Sequence, residues 1–313
     1  MDFTFTEDQL LFCESVKDFL QGEVTAESIR KSWDTDTGRS SDLWAQMVEL
    51  GLTGMLVPEA YGGLGMNELD FVLLAQECGR AALPEPLVET VLVATPLLAS
   101  LADDDPRCAS LLEKIAAGEV MIAVGHAANN LVCDAHIADY LLLPKGDQVH
   151  LVAKDQVTLV AQQSVDPSRR LFSVEWQGND ETCLASGAEG VSLLAATLNR
   201  GALGAAAQMV GLAEQMVAMS VQYTTDRLQF GKPIGVNQAL KHHMANCAVK
   251  TEFAKAPLYR AAYTVTQDPA RADFAVSHAK VVAGEAALLA AKNSIQSFGA
   301  MGYTWECDLH IWM

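Results

Sequence analysis

Basic side chains are scarce in this sequence of 313 residues, because 21 lysines and arginines stand against 39 aspartates and glutamates. The resulting net charge of −18 repels nucleic-acid phosphates and anionic lipid, so we expect neither as a partner. Aromatic residues make up only 7% of the chain, although 50% of it is hydrophobic. A core built from Ala, Leu and Val favours closely packed helices over a β-sandwich.

The sequence also has no paired cysteines and no leader-like segment. Its seven cysteines are scattered without C-x-x-C spacing, which is typical of reduced thiols. The acidic start MDFTFTEDQL offers neither the basic nor the apolar region of a signal peptide. No unbroken apolar run reaches the roughly 18–20 residues that span a bilayer. We therefore expect a cytoplasmic protein that is not inserted in a membrane.

The first part of the chain, residues 1–118, shows helical periodicity. One apolar stripe covers residues 4–21 behind a cap-like Thr6, and another covers residues 41–50. The second stripe has Ser41 or Asp42 as its candidate cap, since both types accept hydrogen bonds from free backbone N–H groups. These residues predict an N-terminal domain made of helices alone.

The rest of the chain changes character twice. Residues 119–190 hold short apolar or alternating runs between polar turns, which predicts a small antiparallel β domain. Residues 191–313 return to long helices, predicted as a C-terminal four-helix bundle. The sequence therefore predicts a mainly α protein with α–β–α domain order.

A basic turn separates two of the predicted long helices. The segment RLQFGKPIGVNQ presents Arg227, the aromatic ring of Phe230 and the amide of Gln238. Such a turn can hold a phosphate or a nucleotide through charge-assisted and backbone hydrogen bonds. The alternative is a structural turn, in which Gly231 and Pro233 end one helix and the arginine favours its C-terminus.

Three motifs in sequence order resemble those of the acyl-CoA dehydrogenases. The first is the connector LGLTGMLVPEAYGGLG, which matches L-G-x-x-G-x-x-x-P-E-x-Y-G-G-x-G. The second is the R-x-x-F-G-x-P-I turn with its following glutamine, and the third is QSFGAMGY, starting at Gln296. In the third motif Ala300 stands where the family has a second glycine. The resemblance covers nearly the whole chain.

The resemblance implies the three-part acyl-CoA dehydrogenase fold and FAD as the cofactor. It also implies which residues bind that cofactor, because the turn and the last motif contact the diphosphate and adenosine end of an FAD held mainly by a neighbouring subunit. The cofactor-binding residues implied here are Arg227, Phe230, Gln238, Gln296 and Gly299.

Two departures from the family pattern concern the chemistry. The β domain lacks the T-E-P-x-x-G-S-D and G-x-K-x-x-I-T type segments that line the flavin ring in the family. One family position of the catalytic base falls on Gly201, and its neighbours Asn199, Arg200 and Ala202 are not carboxylates. The other position follows the last bundle helix, beyond Met313. We therefore predict no catalytic residue in this sequence.

Other polar residues give weaker signals. His242 and His243 are adjacent but have no further ligand type at metal-binding spacing, so we predict no metal site. Adjacent residues also point about 100° apart on a helix, which prevents both from facing one ion. Glu306 is interpreted as an exposed glutamate at a helix start.

The resemblance, with its departures, indicates the smaller, catalytically incomplete subunit of a heteromeric acyl-CoA dehydrogenase of the steroid side-chain or dicarboxylate type. The implied partner is a longer homologous subunit in a heterotetramer, acting on an acyl-CoA with an acceptor of the electron-transfer flavoprotein type. One alternative is a homo-oligomeric enzyme with a base beyond Met313. Another is a scaffold subunit that binds neither FAD nor CoA. The sequence leaves the acyl group unspecified.

Overall fold

The computed structural model describes residues 4–313 and has the predicted mainly α architecture with small sheets. The α-helices of the described residues are α1 (Glu7–Glu23), α2 (Ala26–Trp33), α3 (Ser41–Glu49), α4 (Glu68–Ala81), α5 (Thr95–Leu101), α6 (Pro106–Ala116), α7 (Gly187–Asp226), α8 (Gln238–Gln267) and α9 (Ala272–Phe298). The strands are β1 (Ile122–Val124), β2 (Leu131–Cys133), β3 (Tyr140–Lys145), β4 (Gln148–Ala153), β5 (Thr158–Gln162), β6 (Leu171–Glu175), β7 (Cys183–Ala185), β8 (Leu228–Gln229) and β9 (Lys232–Pro233).

The described residues form two compact units. The bundle unit contains the residues up to Ala26 together with Val72–Leu83 and Ala202–Met313. The sheet unit contains Glu27–Phe71 and Pro84–Gly201. Helices α4 and α7 each supply residues to both units.

Side-chain caps fix where the early helices begin. Thr6 caps α1 in a reciprocal pair with Gln9, whose side chain accepts from the Thr6 backbone N–H at 2.8 Å. The cap of α3 is Ser40, whose hydroxyl accepts from the Leu43 N–H at 3.2 Å. The expectation of Ser41 or Asp42 as the cap was wrong, because both lie inside the first turn of the helix. The apolar stripe does not show which of three consecutive polar residues is the cap.

The glycine-rich connector between α3 and α4 is irregular, as predicted, with one short 3₁₀ turn at Glu59–Tyr61. Gly63 lies directly against the chain segment before it. A Cβ atom at this position would be 2.1 Å from the Val57 carbonyl oxygen, so the backbones can approach this closely only without a side chain.

Two small sheets form the middle of the sheet unit. One has the strand order β1-β3-β4-β7 and the other β2-β6-β5. The pairings are antiparallel, as predicted, except for β1 and β3, which are parallel. The apolar pattern does not predict β2 and β7, because strands of three residues are too short to show alternation.

Small residues allow the helices of the bundle unit to pack closely. The buried face of α9 consists mainly of alanines and includes Ala279, Ala283 and Ala286. It packs against α8, whose buried positions recur every three or four residues. A separate apolar cluster joins α7 and α9 to the last residues, where Trp312 donates its indole N–H to the Arg80 carbonyl at 2.8 Å.

The segment Pro269–Tyr303 is long and apolar enough to cross a membrane by length and composition alone. Counting unbroken apolar runs in the sequence does not detect it, because isolated charged residues interrupt the segment. This property is weak evidence, since the core helices of many proteins pass the same test.

Candidate nucleotide-binding site

The basic turn is a short β-hairpin at the end of α7. The Arg227 N–H donates to the Tyr223 carbonyl at 2.9 Å, and the Arg227 carbonyl accepts from the Ile234 N–H at 2.9 Å. Leu228 pairs with Pro233 in the two-residue strands β8 and β9. These bonds fix the base of the hairpin, so the direction in which its tip projects is set by the end of the helix.

The tip of the hairpin has an unusual backbone conformation. Phe230 has φ +53° and Gly231 has φ +77°, as in a type I′ turn. A bulky residue with positive φ is strained, and such strain is common at functional sites. Phe230 is also 99% exposed, so its ring has no packing inside the described part of the chain. A structural turn alone does not require an exposed phenylalanine at a strained position.

The guanidinium of Arg227 is free to bind a ligand. Its side chain is exposed and makes neither an ion pair nor a hydrogen bond with any residue that the structure describes. An arginine that capped α7 would donate to the last carbonyl groups of that helix. This geometry favours the anion-binding interpretation over the structural one.

A groove of about 730 Å³ runs beside Arg227 along the last three turns of α7. Its far wall includes Phe298, the last residue of α9, whose ring stacks on Tyr223 with centroids 4.2 Å apart. Gln222 holds Asp226 through a hydrogen bond of 2.7 Å. The groove therefore joins the R-x-x-F-G turn to the region of the third motif, which is distant in sequence.

The third motif begins on the exposed side of α9. Gln296 is exposed, and Gly299 ends the helix with φ +62° and ψ −137°. Open space surrounds the position of a Cβ atom at Gly299, so its conformation rather than its packing requires glycine. Ala300 is exposed, so its extra methyl group does not fill an internal space. Gln238 is the exposed first residue of α8.

The structure thus brings Arg227 and the end of α9 to one groove and leaves Phe230, Gln238 and Gln296 exposed. Sequence reasoning did not identify Tyr223 or Met219, which are among the residues that line the groove. The assignment of the five residues to a cofactor remains a prediction.

The polypeptide between β1 and β3 offers little to a flavin ring. Residues 125–130 form a short turn, and residues 125–139 contain neither serine nor threonine. A hydroxyl donor of the kind that the family pattern provides is therefore missing from this stretch. The turn instead carries His126, whose pKa is lowered by burial of its ring.

The carboxylates of Glu189, Glu214 and Glu306 do not have the environment of a catalytic base. Glu189 is exposed in the first turn of α7, and Glu306 is exposed in a turn rather than at a helix start. Glu214 is held by the guanidinium of Arg80 and by the Lys255 ammonium group at 2.8 Å. Gln76 also donates to Glu214 at 2.9 Å. This carboxylate links α4, α7 and α8 and is structural.

A metal site is not present among residues 4–313, where the structure shows no group of three or more side chains suited to hold a metal ion. His242 and His243 are both exposed on α8.

Comparison with known families identifies the chain. The profile described as acyl-CoA dehydrogenase, N-terminal domain, matches residues 6–119, and that described as acyl-CoA dehydrogenase, C-terminal domain, matches residues 188–313. The chain belongs to the acyl-CoA dehydrogenase family, whose members use FAD.

Among its relatives is the acyl-CoA dehydrogenase IpdE2 of Mycobacterium tuberculosis, which is 30% identical over 98% of this chain and 90% of its own length. Among solved structures, the ChsE4–ChsE5 complex of Mycobacterium tuberculosis has a TM-score of 0.87 at 22% identity, covering 100% of this chain and 92% of that one. The Tcur3481–Tcur3483 steroid acyl-CoA dehydrogenase has a TM-score of 0.87 at 21% identity, covering 98% of this chain and 91% of that one.

The residues present fit one end of FAD better than the other. Three features suit the diphosphate and nucleoside of FAD. They are the unpaired Arg227, the outward-facing ring of Phe230 and the glycine-only backbone conformation of Gly299. The turn after β1 has no hydroxyl group to offer the ring system. The fit is therefore good for the nucleotide end and poor for the isoalloxazine.

Proposed function

We propose that the chain is a subunit of a heteromeric, flavin-dependent acyl-CoA dehydrogenase that shares its FAD with a longer homologous partner. The observation that carries the proposal is a groove beside an exposed, unpaired Arg227, together with the lack of serine and threonine in residues 125–139 between β1 and β3. A chain with half of a site can act only when another chain supplies the rest.

The proposed reaction is the α,β-dehydrogenation of an acyl-CoA thioester. FAD, when bound, accepts the hydride from Cβ. In this account Arg227 binds the diphosphate, Phe230 and Gln238 position the nucleotide end, and Gln296 and Gly299 contact the nucleoside. The base that removes the α-proton belongs to the partner, because Gly201 has no side chain to accept it.

Exposed apolar residues support an assembly. Large hydrophobic side chains face outward on both α8 and α9, among them Phe253, Phe274 and Leu288. Exposed apolar surface can mark protein–protein contact sites. We propose a heterotetramer that acts on a steroid side-chain thioester. Similarity to the ChsE4–ChsE5 complex supports unlike subunits, and similarity to a steroid acyl-CoA dehydrogenase supports a steroid substrate.

The remaining parts of the proposal follow from the same class of enzyme. The electrons would leave through an acceptor of the electron-transfer flavoprotein type, and the complex would work in the cytoplasm. The three-domain division at residues 1–118, 119–190 and 191–313 is proposed as the organisation of this subunit.

The proposal is tested by purifying the chain alone and after co-expression with a longer homologous acyl-CoA dehydrogenase subunit. The chain alone should be colourless and inactive, and the co-purified pair should be yellow and active with acyl-CoA. A yellow and active preparation of the chain alone would instead support the homo-oligomeric enzyme. A stable pair without flavin would support the scaffold subunit.

A further inference from the structure

Tyr223, near the end of α7, contacts both segments of the candidate nucleotide-binding site. Its backbone carbonyl accepts from the Arg227 N–H at 2.9 Å, which holds the base of the hairpin. Its ring stacks on that of Phe298, the last residue of α9, with centroids 4.2 Å and planes 13° apart. The Tyr223 hydroxyl also donates to the Phe298 carbonyl at 3.4 Å. One residue therefore joins the basic turn to the third motif.

The hairpin is packed tightly on the last turn of α7. Gly235 lies just after β9, and a Cβ atom at this position would be 2.9 Å from the Thr224 carbonyl oxygen. The chain can pass this close to the helix only because glycine has no side chain. The Arg227 carbonyl also accepts from the Ile234 N–H at 2.9 Å. The hairpin therefore follows the end of α7, and the position of Tyr223 determines where it lies.

The end of α9 is held from the other side of the same ring. The last four carbonyl groups of a helix have no N–H donor within that helix, and the Phe298 carbonyl is one of them. The Tyr223 hydroxyl supplies a donor to it from α7. Gly299 follows directly, with the positive φ that ends the helix. The stack therefore acts on the residue next to the glycine of the third motif.

The bundle does not need Tyr223 to hold α7 against α9. About two turns earlier along α7, the buried Ser294 hydroxyl donates to the Met216 carbonyl at 3.1 Å. Ala213 and Ala290 are fully buried in the cluster that joins the two helices there. The stack at Tyr223 therefore sets the geometry of the two helix ends rather than the association of the helices.

We propose that Tyr223 is a positioning residue for the bound nucleotide, because it fixes the spacing between the Arg227 guanidinium and the Gly299 backbone. This inference rests on the proposed function, in which these two groups contact the diphosphate and the nucleoside of one FAD. Groups that contact the same ligand bind it well only when other residues hold their separation. Loss of the Tyr223 ring should therefore weaken both contacts together.

Hydrogen exchange of the full chain tests whether the two segments share one anchor. Tyr223→Leu should speed exchange both in residues 227–236 and in residues 299–303, with little change in the buried middle of α8. Tyr223→Phe keeps the stacked ring and should restore most of the protection. Val221→Ala is the matched control, because it alters an exposed side chain in the same turn of α7, and it should change neither segment. Faster exchange in only one segment, or throughout the bundle, would overturn the inference.

A double-mutant cycle on FAD affinity in the co-expressed complex tests the positioning itself. Tyr223→Leu should raise the FAD dissociation constant about three- to tenfold, the size expected from the loss of one aromatic contact. In the Arg227→Ala background the same change should raise it no more than about twofold, because an absent guanidinium cannot be displaced. A merely structural role would lower the Tm and give the same fold-change in both backgrounds, which would overturn the inference. An unchanged dissociation constant in Arg227→Ala alone would instead contradict the proposed function, and the inference with it.

Discussion

Arg227 distinguishes a binding surface from a simple turn. A cap arginine and a phosphate-binding arginine occupy the same place in the sequence, and only their hydrogen bonds differ. Here the guanidinium is exposed and unpaired within residues 4–313, and the neighbouring Phe230 is held outward in a strained conformation. Both features are explained if a second molecule covers them.

We predict that Arg227→Ala weakens FAD retention in the assembled complex without slowing flavin reduction per bound FAD. A charge-assisted hydrogen bond is worth roughly 1.5–3 kcal/mol, which corresponds to about a ten- to hundredfold loss of affinity. The measurement is the FAD dissociation constant by fluorescence, with single-turnover reduction at saturating FAD.

The matched control is Arg271→Ala, which removes an exposed arginine paired only with Asp268 at 3.5 Å. It should leave FAD affinity unchanged, since exposed pairs of this kind contribute little. If Arg227→Ala behaves like this control, the guanidinium does not bind the cofactor.

The buried carboxyl of Glu85 should make the free energy of unfolding depend on pH. Burial raises the pKa of this carboxyl from 4.5 to about 7, although the Ser40 N–H donates to it at 2.9 Å. The folded state therefore holds a proton that the unfolded state releases between these values. The free energy of unfolding should fall as the pH rises from about 4.5 to above 7, by up to about 3 kcal/mol.

Glu85→Gln should flatten this pH dependence and make the chain more stable than wild type at pH 8, because the amide keeps the acceptor for Ser40 without a charge. Urea unfolding at pH 5 and pH 8 measures both effects. A wild-type chain that is equally stable at both pH values would show that Glu85 titrates normally.

At the scale of elements, the P-E-x-Y-G-G-x-G connector requires glycine at position 63 for its close packing. We predict that Gly63→Ala destabilises the chain by about 2–3 kcal/mol, because the new methyl group would press on the Val57 carbonyl. Gly22→Ala, at a helical glycine with open space around its Cβ position, should be neutral or stabilising. Chemical denaturation compares the two variants, and equal stability would contradict the close contact.

Glutamine substitutions at Glu214, Glu189 and Glu306 test whether the catalytic base belongs to this chain. Glu214→Gln should destabilise the chain by about 1–3 kcal/mol, since Arg80 and Lys255 lose a partner that joins three helices. It should leave α-proton abstraction unchanged, as should Glu189→Gln and Glu306→Gln. The measurement is single-turnover flavin bleaching with acyl-CoA in the complex. A loss of about a hundredfold with ligands bound would identify a base in this chain.

Long periodic helices were predictable from the sequence. Polar helix ends and contacts between residues distant in sequence were not. The return to long helices predicted for residues 191–313 is confirmed by α8 and α9, which both lie in this range. Helix α7 begins at Gly187, earlier than the predicted 191, because its first turn is polar and carries no apolar signal. The contact between Tyr223 and Phe298 depends on the fold and has no signature in the sequence.

At the scale of the whole molecule, two incomplete features suggest one explanation. The Arg227 guanidinium and the Phe230 ring are exposed without partners among residues 4–313, and apolar residues on α8 and α9 are exposed as well. A second, unlike subunit would complete both. The family and its FAD dependence are established by the matches to both domains, whereas the unlike partner is our proposal.

Native mass spectrometry of the co-expressed complex tests the central claim, because it counts subunits and cofactors together. The account predicts two copies of each subunit with two FAD molecules, and loss of both FAD molecules in the Arg227→Ala complex at limiting FAD. Four FAD molecules in that assembly, or a homo-oligomer of this chain carrying its own FAD, would contradict it.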